Sequence, residues 1–270
     1  MIELFFKIVL PVAMIGVITL VSHRWGPAVG GVLGAVPAKG GPILLFLALD
    51  QGPKFAATSA AASLGGAGGC GVFCLVYALV CRRIGWPLAG LAAYGAFVAV
   101  WALMLPISSW GLGAACAATL AVLIVSRKLL PAAPPVPRRR ATAPMDLPAR
   151  LIAGAGMVVF VTTAGPYFGA TVSGMMTTIP TVSAVLALST HAQEGADRTI
   201  GVMRGMTHGL LGFASFLTVV AATMVPLGVV PSFALGSLVV IVVQLIELRA
   251  AMRSHAAPEE ALPAGLEAAE

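Results

Sequence analysis

Apolar runs of about twenty residues follow one another from residue 3 to residue 248, and this limits the fold more than any other feature. That length suits helices crossing a hydrocarbon core about 30 Å thick, whereas a barrel strand needs only about ten residues. Period-two alternation is scarce. Only 10% of residues are charged, 59% are hydrophobic and the mean hydropathy is +0.99, where a soluble domain carries about 25% charge. The chain therefore reads as an all-α polytopic membrane protein, with the lipid bilayer as its first partner. The net charge of +6 does not point to nucleic acid. No basic face interleaved with aromatics is present, and the charges fall between the apolar runs, as membrane topology requires.

Nine transmembrane spans are expected, at 3–22, 27–49, 54–81, 86–105, 108–126, 148–165, 166–190, 199–225 and 228–248. Glu3 weakens a basic signal-peptide start and no small-residue cleavage site follows the first run, so it reads as a retained span. Residues 127–147 carry Pro131, Pro134, Pro135, Pro137, Arg138, Arg139, Arg140 and Pro144, the composition of an exposed polyproline-like linker. Residues 251–270 read as a disordered acidic tail. Alternating crossings put thirteen of the basic residues at one face, among them Arg82, Arg83, Arg127, Lys128, Arg198, Arg204 and Arg249, and only Lys7 and Lys54 at the other. By the positive-inside bias the carboxyl terminus lies in the cytoplasm and the protein in a cell inner membrane.

A repeat runs through this pattern. Gly26-Pro27 and Gly165-Pro166 open the second and seventh spans, Pro42 and Pro180 interrupt them, and a glycine-bearing polar loop follows each: Asp50 to Lys54, and His191 to Arg198. Ala62, Gly66 and Phe73 then match Gly205, Gly209 and Phe216. Residues 1–105 (spans one to four) and 148–250 (spans six to nine) read as two inverted four-helix repeats, with residues 106–126 as a connector helix. Inverted repeats with broken helices are common among secondary transporters. The internal two-fold lets a monomer suffice, and a homodimer stays open. Small residues at four-residue spacing (Ala62, Gly66, Cys70 and Cys74; Gly201, Gly205 and Gly209) predict that spans three and eight pack near the internal two-fold axis, against the broken spans two and seven.

The run from Ser173 through Met175, Met176, Thr177, Thr178 and Pro180, followed by His191, Gly195, Arg204 and Gly205, resembles the signature of GlpM-type small bacterial inner-membrane proteins. The likeness lies mainly in residues 165–215. It implies a fused two-copy form of a four-span unit and carries no substrate with it. In the first copy no histidine stands where His191 does, and Lys39 replaces a small polar residue.

Lys39 lies in Ala35-Val36-Pro37-Ala38-Lys39-Gly40-Gly41-Pro42, near the middle of the second span. A lysine at that depth costs about 2.5 kcal/mol or more. Two readings stand: an anion site made by the ammonium with Gly40 and Gly41, or a wet re-entrant tip. Ser173, Thr177, Thr178 and Thr181 either contact a polar solute at the Pro180 break or bond back to their own helix. Arg204 either gates the site, closing on Glu194 or Asp197, or snorkels to the surface, and His208 either shuttles protons or packs. Acids that could take part in chemistry read as loop residues. Lys39 precedes Gly-Gly-Pro instead of following glycine before Ser or Thr, so no nucleotide loop is present. Cys70, Cys74 and Cys81 share a face without a Cys-x-x-Cys pair, so neither a metal site nor a cofactor is expected. Paired carboxylates and an activated nucleophile are lacking, so an enzyme is not expected. The expected function is a secondary transporter or permease for a small anionic solute, with its midplane site between two broken helices. The alternative is a non-transport accessory or assembly subunit of an envelope system. A reporter fused after Glu270 is expected to read cytoplasmic, and a periplasmic or extracellular signal would break the span count.

Overall fold

The computed structural model describes residues 5–10, 12–14, 16, 39–108, 110–133 and 147–256. The amino-terminal part of the second span, with Ala35 to Ala38, lies outside the described residues, as do residues 134–146 of the linker and 257–270 of the tail. Among the described residues there is no strand. After helical residues within 5–14, eight further helices follow among the described residues: α1 Gly40–Gln51, α2 Pro53–Val80, α3 Trp86–Ser108, α4 Leu112–Leu129, α5 Leu147–Thr177, α6 Thr181–Glu194, α7 Ala196–Leu227 and α8 Val229–Ala256. Six helical stretches are long and apolar enough to cross a membrane: α2, Trp86–Ile107, α4, Tyr167–Glu194, α7 and Val229–Glu247. Phe5–Met14, α1 and Gly154–Gly165 are shorter apolar helices.

The polar segments expected as loops are instead helix ends. Gly52 alone separates α1 from α2, and Gly195 alone separates α6 from α7, with φ of 89° and 87°. Each glycine N–H donates to a carbonyl four residues back, Ala48 or His191, so the helix ends tightly and the next begins at once. Residues such as Gln51, Lys54, Glu194 and Asp197 thus mark where helices meet polar surroundings, not where the chain unwinds. Two further boundaries differ from expectation. The chain does not turn at Gly165-Pro166: α5 runs past them to Gly169, whose φ of 78° and ψ of 167° bend it. The Ser173 hydroxyl reaches the carbonyls of Gly165 and Gly169, both at 2.8 Å, which holds the two sides of the bend together. The tail also starts later, since α8 continues to Ala256.

The core is organised on α2, which packs against α1, α3, α4, α5 and α7. Its small residues explain why so many helices can reach it. A methyl group at Gly71 would stand 2.7 Å from Leu123 of α4, and one at Gly69 would stand 3.0 Å from Phe97 of α3. On the α5 side, a Cβ at Gly66 would collide with Thr178, and one at Gly174 would run into the Ser59 backbone. Ser59 and Ser63 donate across this crossing to the carbonyls of Ala170 (2.9 Å) and Gly174 (2.7 Å). The packing of span three against span seven expected from the small residues is present in the close approach of α2 to α5, and α2 also packs extensively against α7.

Charges collect at the two ends of the bundle. At one end Arg82 pairs with Asp197 (2.7 Å), Arg127 with Glu247 (3.1 Å) and Arg198 with Glu194. At the other, Lys7 pairs with Asp50 (2.9 Å) close to Lys54 and the start of α2. Gly174→Ala is expected to lower the thermal midpoint by an amount equivalent to about 1–3 kcal/mol, because the Ser59 backbone cannot yield as a side chain would. Gly113→Ala, with open space around it, should not lower it. Equal midpoints for the two variants in a detergent melt would reject the close α2–α5 crossing.

Candidate functional site

Pro180 removes an amide and breaks the helix between α5 and α6, because residues from Thr178 to Pro180 cannot continue the ladder. Inside an apolar bundle each freed carbonyl needs another donor. Three consecutive carbonyls are met by three different elements. Cys70 of α2 donates its thiol to the Thr178 carbonyl at 3.1 Å. The Lys39 ammonium donates to the Ile179 carbonyl. Tyr94 of α3 donates its hydroxyl to the Pro180 carbonyl at 2.8 Å, beside the Ala184 N–H that opens α6 at 3.1 Å.

Lys39 reaches that position because it caps the start of α1. It is the residue before Gly40 and accepts the first helical bond, from the Ile43 N–H at 3.0 Å. Gly40 and Gly41 are buried in the first turn, where helix amides point outward and the dipole favours negative charge. Gly40 also lies against Phe213 of α7; a Cβ there would stand 3.1 Å from the ring. The Thr181 N–H donates to the same Ile179 carbonyl at 2.7 Å, which brings Thr181 beside the ammonium. The Thr181 hydroxyl is buried and has no hydrogen-bond partner among the described residues. Lys39 makes no ion pair with a carboxylate among them either.

The other expected hydroxyls are engaged in packing. Ser173 bridges the Gly169 bend. Thr177 donates to the Gly174 carbonyl at 2.6 Å and lies 2.9 Å from the Ser63 hydroxyl. Thr178 bonds back to Met175 at 2.6 Å while seated on Gly66. The structure thus joins Lys39, Gly40, Gly41 and Thr181 at one place and ties Ser173, Thr177 and Thr178 into the α2–α5 contact.

Arg204, His208 and Glu194 lie elsewhere. Arg204 precedes Phe213 by nine residues, about two and a half helical turns, and so leaves the opposite face of α7. It donates to the carbonyls of Leu130 and Pro131 at 3.3 and 3.1 Å and fastens the chain after α4. Neither expected acidic partner meets it, since Glu194 pairs with Arg198 and Asp197 with Arg82. His208 instead bonds Glu247 of α8, Nδ1 to Oε2 at 2.6 Å, and Glu247 also holds Arg127. Glu247 corrects the expectation that candidate acids are loop residues. It is helical, largely buried and shared by Arg127 and the His208 imidazole. Its signal was its place inside the last expected span. Cys70 and Tyr94 were equally unexpected as donors.

No group of three or more His, Cys, Asp or Glu able to hold a metal occurs among the described residues. Comparison with protein-family models, curated proteins and solved structures yields no match, so the GlpM-type resemblance rests on its motif alone. Tyr94→Phe removes one of the two donors to the Pro180 carbonyl, leaving the Ala184 N–H, and is expected to cost about 0.5–1.5 kcal/mol. The check is the thermal midpoint in detergent beside that of Tyr167→Phe, whose ring is exposed; an unshifted Tyr94→Phe would remove the tyrosine from the break.

Proposed function

We propose that the chain is a secondary transporter for a small anionic solute, bound where Lys39 meets the Pro180 break. The observation that carries the reading is a bundle-interior lysine with a backbone carbonyl as partner and no carboxylate among the described residues. A charge-assisted bond to a carbonyl contributes about 1.5–3 kcal/mol, comparable with the cost of inserting the charge, about 2.5–3.5 kcal/mol. A methionine would fill similar space without that cost. Stability alone therefore does not account for a lysine here.

The ammonium has three donor positions, and the Ile179 carbonyl takes one. A carboxylate or phosphate group would take others, with the Thr181 hydroxyl as a further donor and the start of α1 supplying a favourable dipole. Gly40 and Gly41 leave room for close approach. Support for two inverted repeats comes from the matched joints: a short helix, a single left-handed glycine and a long helix occur at α1–Gly52–α2 and again at α6–Gly195–α7. The paired breaks would then move against each other, with Lys39 drawn from Ile179 as the solute binds and returning as it leaves. In this reading the basic end of the bundle is cytoplasmic in an inner membrane, and the protein is not an enzyme. Arg204, His208 and Glu194 would act on the cytoplasmic route, away from the solute.

One observation favours the second reading, a non-transport envelope component. Cys70, Lys39 and Tyr94 together saturate the break, and such a clamp suits a static scaffold. Uptake of carboxylates and phosphate esters into proteoliposomes separates the two. Saturable flux that falls more than about tenfold in Lys39→Gln, with insertion and monodispersity unchanged, is the expected result. Absence of flux across the panel favours the scaffold, and full flux in Lys39→Gln removes the lysine from the site.

A further inference from the structure

A groove of about 490 Å³ lies between α4 and α7 at the basic end of the bundle. Three permanent cations line it: Arg127, Lys128 and Arg204. Against them stands, among the described residues, one nearby carboxylate, Glu247, already bonded to Arg127 and His208. Arg204 spends one terminal nitrogen on the Leu130 and Pro131 carbonyls and keeps further N–H donors. Lys128 is exposed and has no hydrogen-bond or ion-pair partner among the described residues. The groove therefore carries excess positive charge with unused donors, held in place by an ordered network.

Its apolar part decides what kind of anion fits. Leu120, Ile124 and Lys128 recur every four residues, so they form one stripe along α4. Leu120 and Ile124 are 45% and 48% exposed, on a helix whose hydropathy suits a bilayer. Ile124 lines the groove and also faces outward, so the groove opens onto the lipid-facing surface. From the bilayer outward the order is apolar, apolar, cationic, which matches acyl chain followed by phosphate. A soluble anion would need only the cations.

We infer that this groove binds the phosphate of an anionic phospholipid, with Lys128, Arg127 and Arg204 on the headgroup and the Leu120–Ile124 stripe against the acyl chain. Basic pockets between membrane helices recognise such headgroups by charge. The site lies on the opposite face of α7 from Lys39 and does not depend on the transport reading. Bound lipid would bridge α4 and α7 where Arg204 already ties them, and so stabilise that end of the bundle.

The test is the thermal midpoint of the full chain in phosphatidylcholine nanodiscs, with and without phosphatidylglycerol. A second arm adds inorganic phosphate to the phosphatidylcholine discs. Phosphatidylglycerol is expected to raise the midpoint saturably, and inorganic phosphate at matched concentration should not. Lys128→Gln should weaken the lipid effect roughly fivefold. Arg83→Gln, exposed at the same end but outside the groove, should leave it unchanged. No lipid-dependent rise would overturn the proposal, as would equal weakening by the two variants, which would indicate diffuse surface attraction. Equal stabilisation by inorganic phosphate would overturn the lipid assignment.

Discussion

Unpaired carbonyls in a low-dielectric interior cost several kilocalories each in hydrocarbon, and Pro180 frees backbone groups in the middle of this bundle. Meeting that demand fixes the surrounding arrangement. Cys70 must come from α2, Tyr94 from α3 and Lys39 from the start of α1, so three elements are set in register by one break. The Gly66 and Gly174 positions let α2 approach α5 closely enough for the Cys70 thiol to reach. A larger residue at either glycine would push the donors away from their acceptors. Packing and hydrogen bonding are therefore not separable at this point in the fold.

The same reasoning explains why α2 is central. In a membrane the hydrophobic effect does not drive helices together, so close packing and hydrogen bonds must. Residues 65 to 71 of α2 contain five glycines, and around them stand Met104, Thr178, Phe97, Val122 and Leu123. The bulky partners come from neighbouring helices and the hollows from α2. Ser59 and Ser63 add bonds to α5 carbonyls. Conversely, α3, α4 and α8 turn large apolar side chains such as Leu91, Ile124 and Leu238 outward, as helices at the lipid boundary do.

Much of this was legible in the sequence, for definite reasons. Apolar run length gave the spanning helices of α2, α3, α4, α7 and α8 to within a few residues at most ends. Lysine in an apolar run and proline at 180 marked the two places that meet through Ile179. What was not legible depended on rotation about helix axes or on backbone dihedrals. Nothing in Thr177 or Thr178 as residue types says that they face Ser63 and Gly66, while Thr181, three residues on from Thr178, keeps its hydroxyl free. Gly165-Pro166 carries a stronger breaking signal than Gly169, yet the left-handed φ falls at Gly169. Polar residues around Gly52 and Gly195 resemble loops because the membrane boundary and a chain break favour the same residue types. Glu247 was obscured by its neighbour Arg249 near the end of an apolar run, where charge usually means a solvated surface.

Lys39 links the two functional readings through a competition for its donors. Held by the Ile179 carbonyl, it completes the clamp on the break and the bundle is closed at that point. An anionic group beside Thr181 would bond the ammonium more strongly than a neutral carbonyl does, since the attraction of opposite charges adds to a bond that is charge-assisted in either case. The carbonyl would then lose one of its two donors and keep the Thr181 N–H, so the break would loosen without being stripped bare. The residual bond keeps the cost of releasing the lysine low. A static scaffold has no use for a donor that can be withdrawn so cheaply, whereas a site that must bind and let go does. The single positive charge at the clamp, where Cys70 and Tyr94 are neutral, is what separates this break from a merely well-packed one.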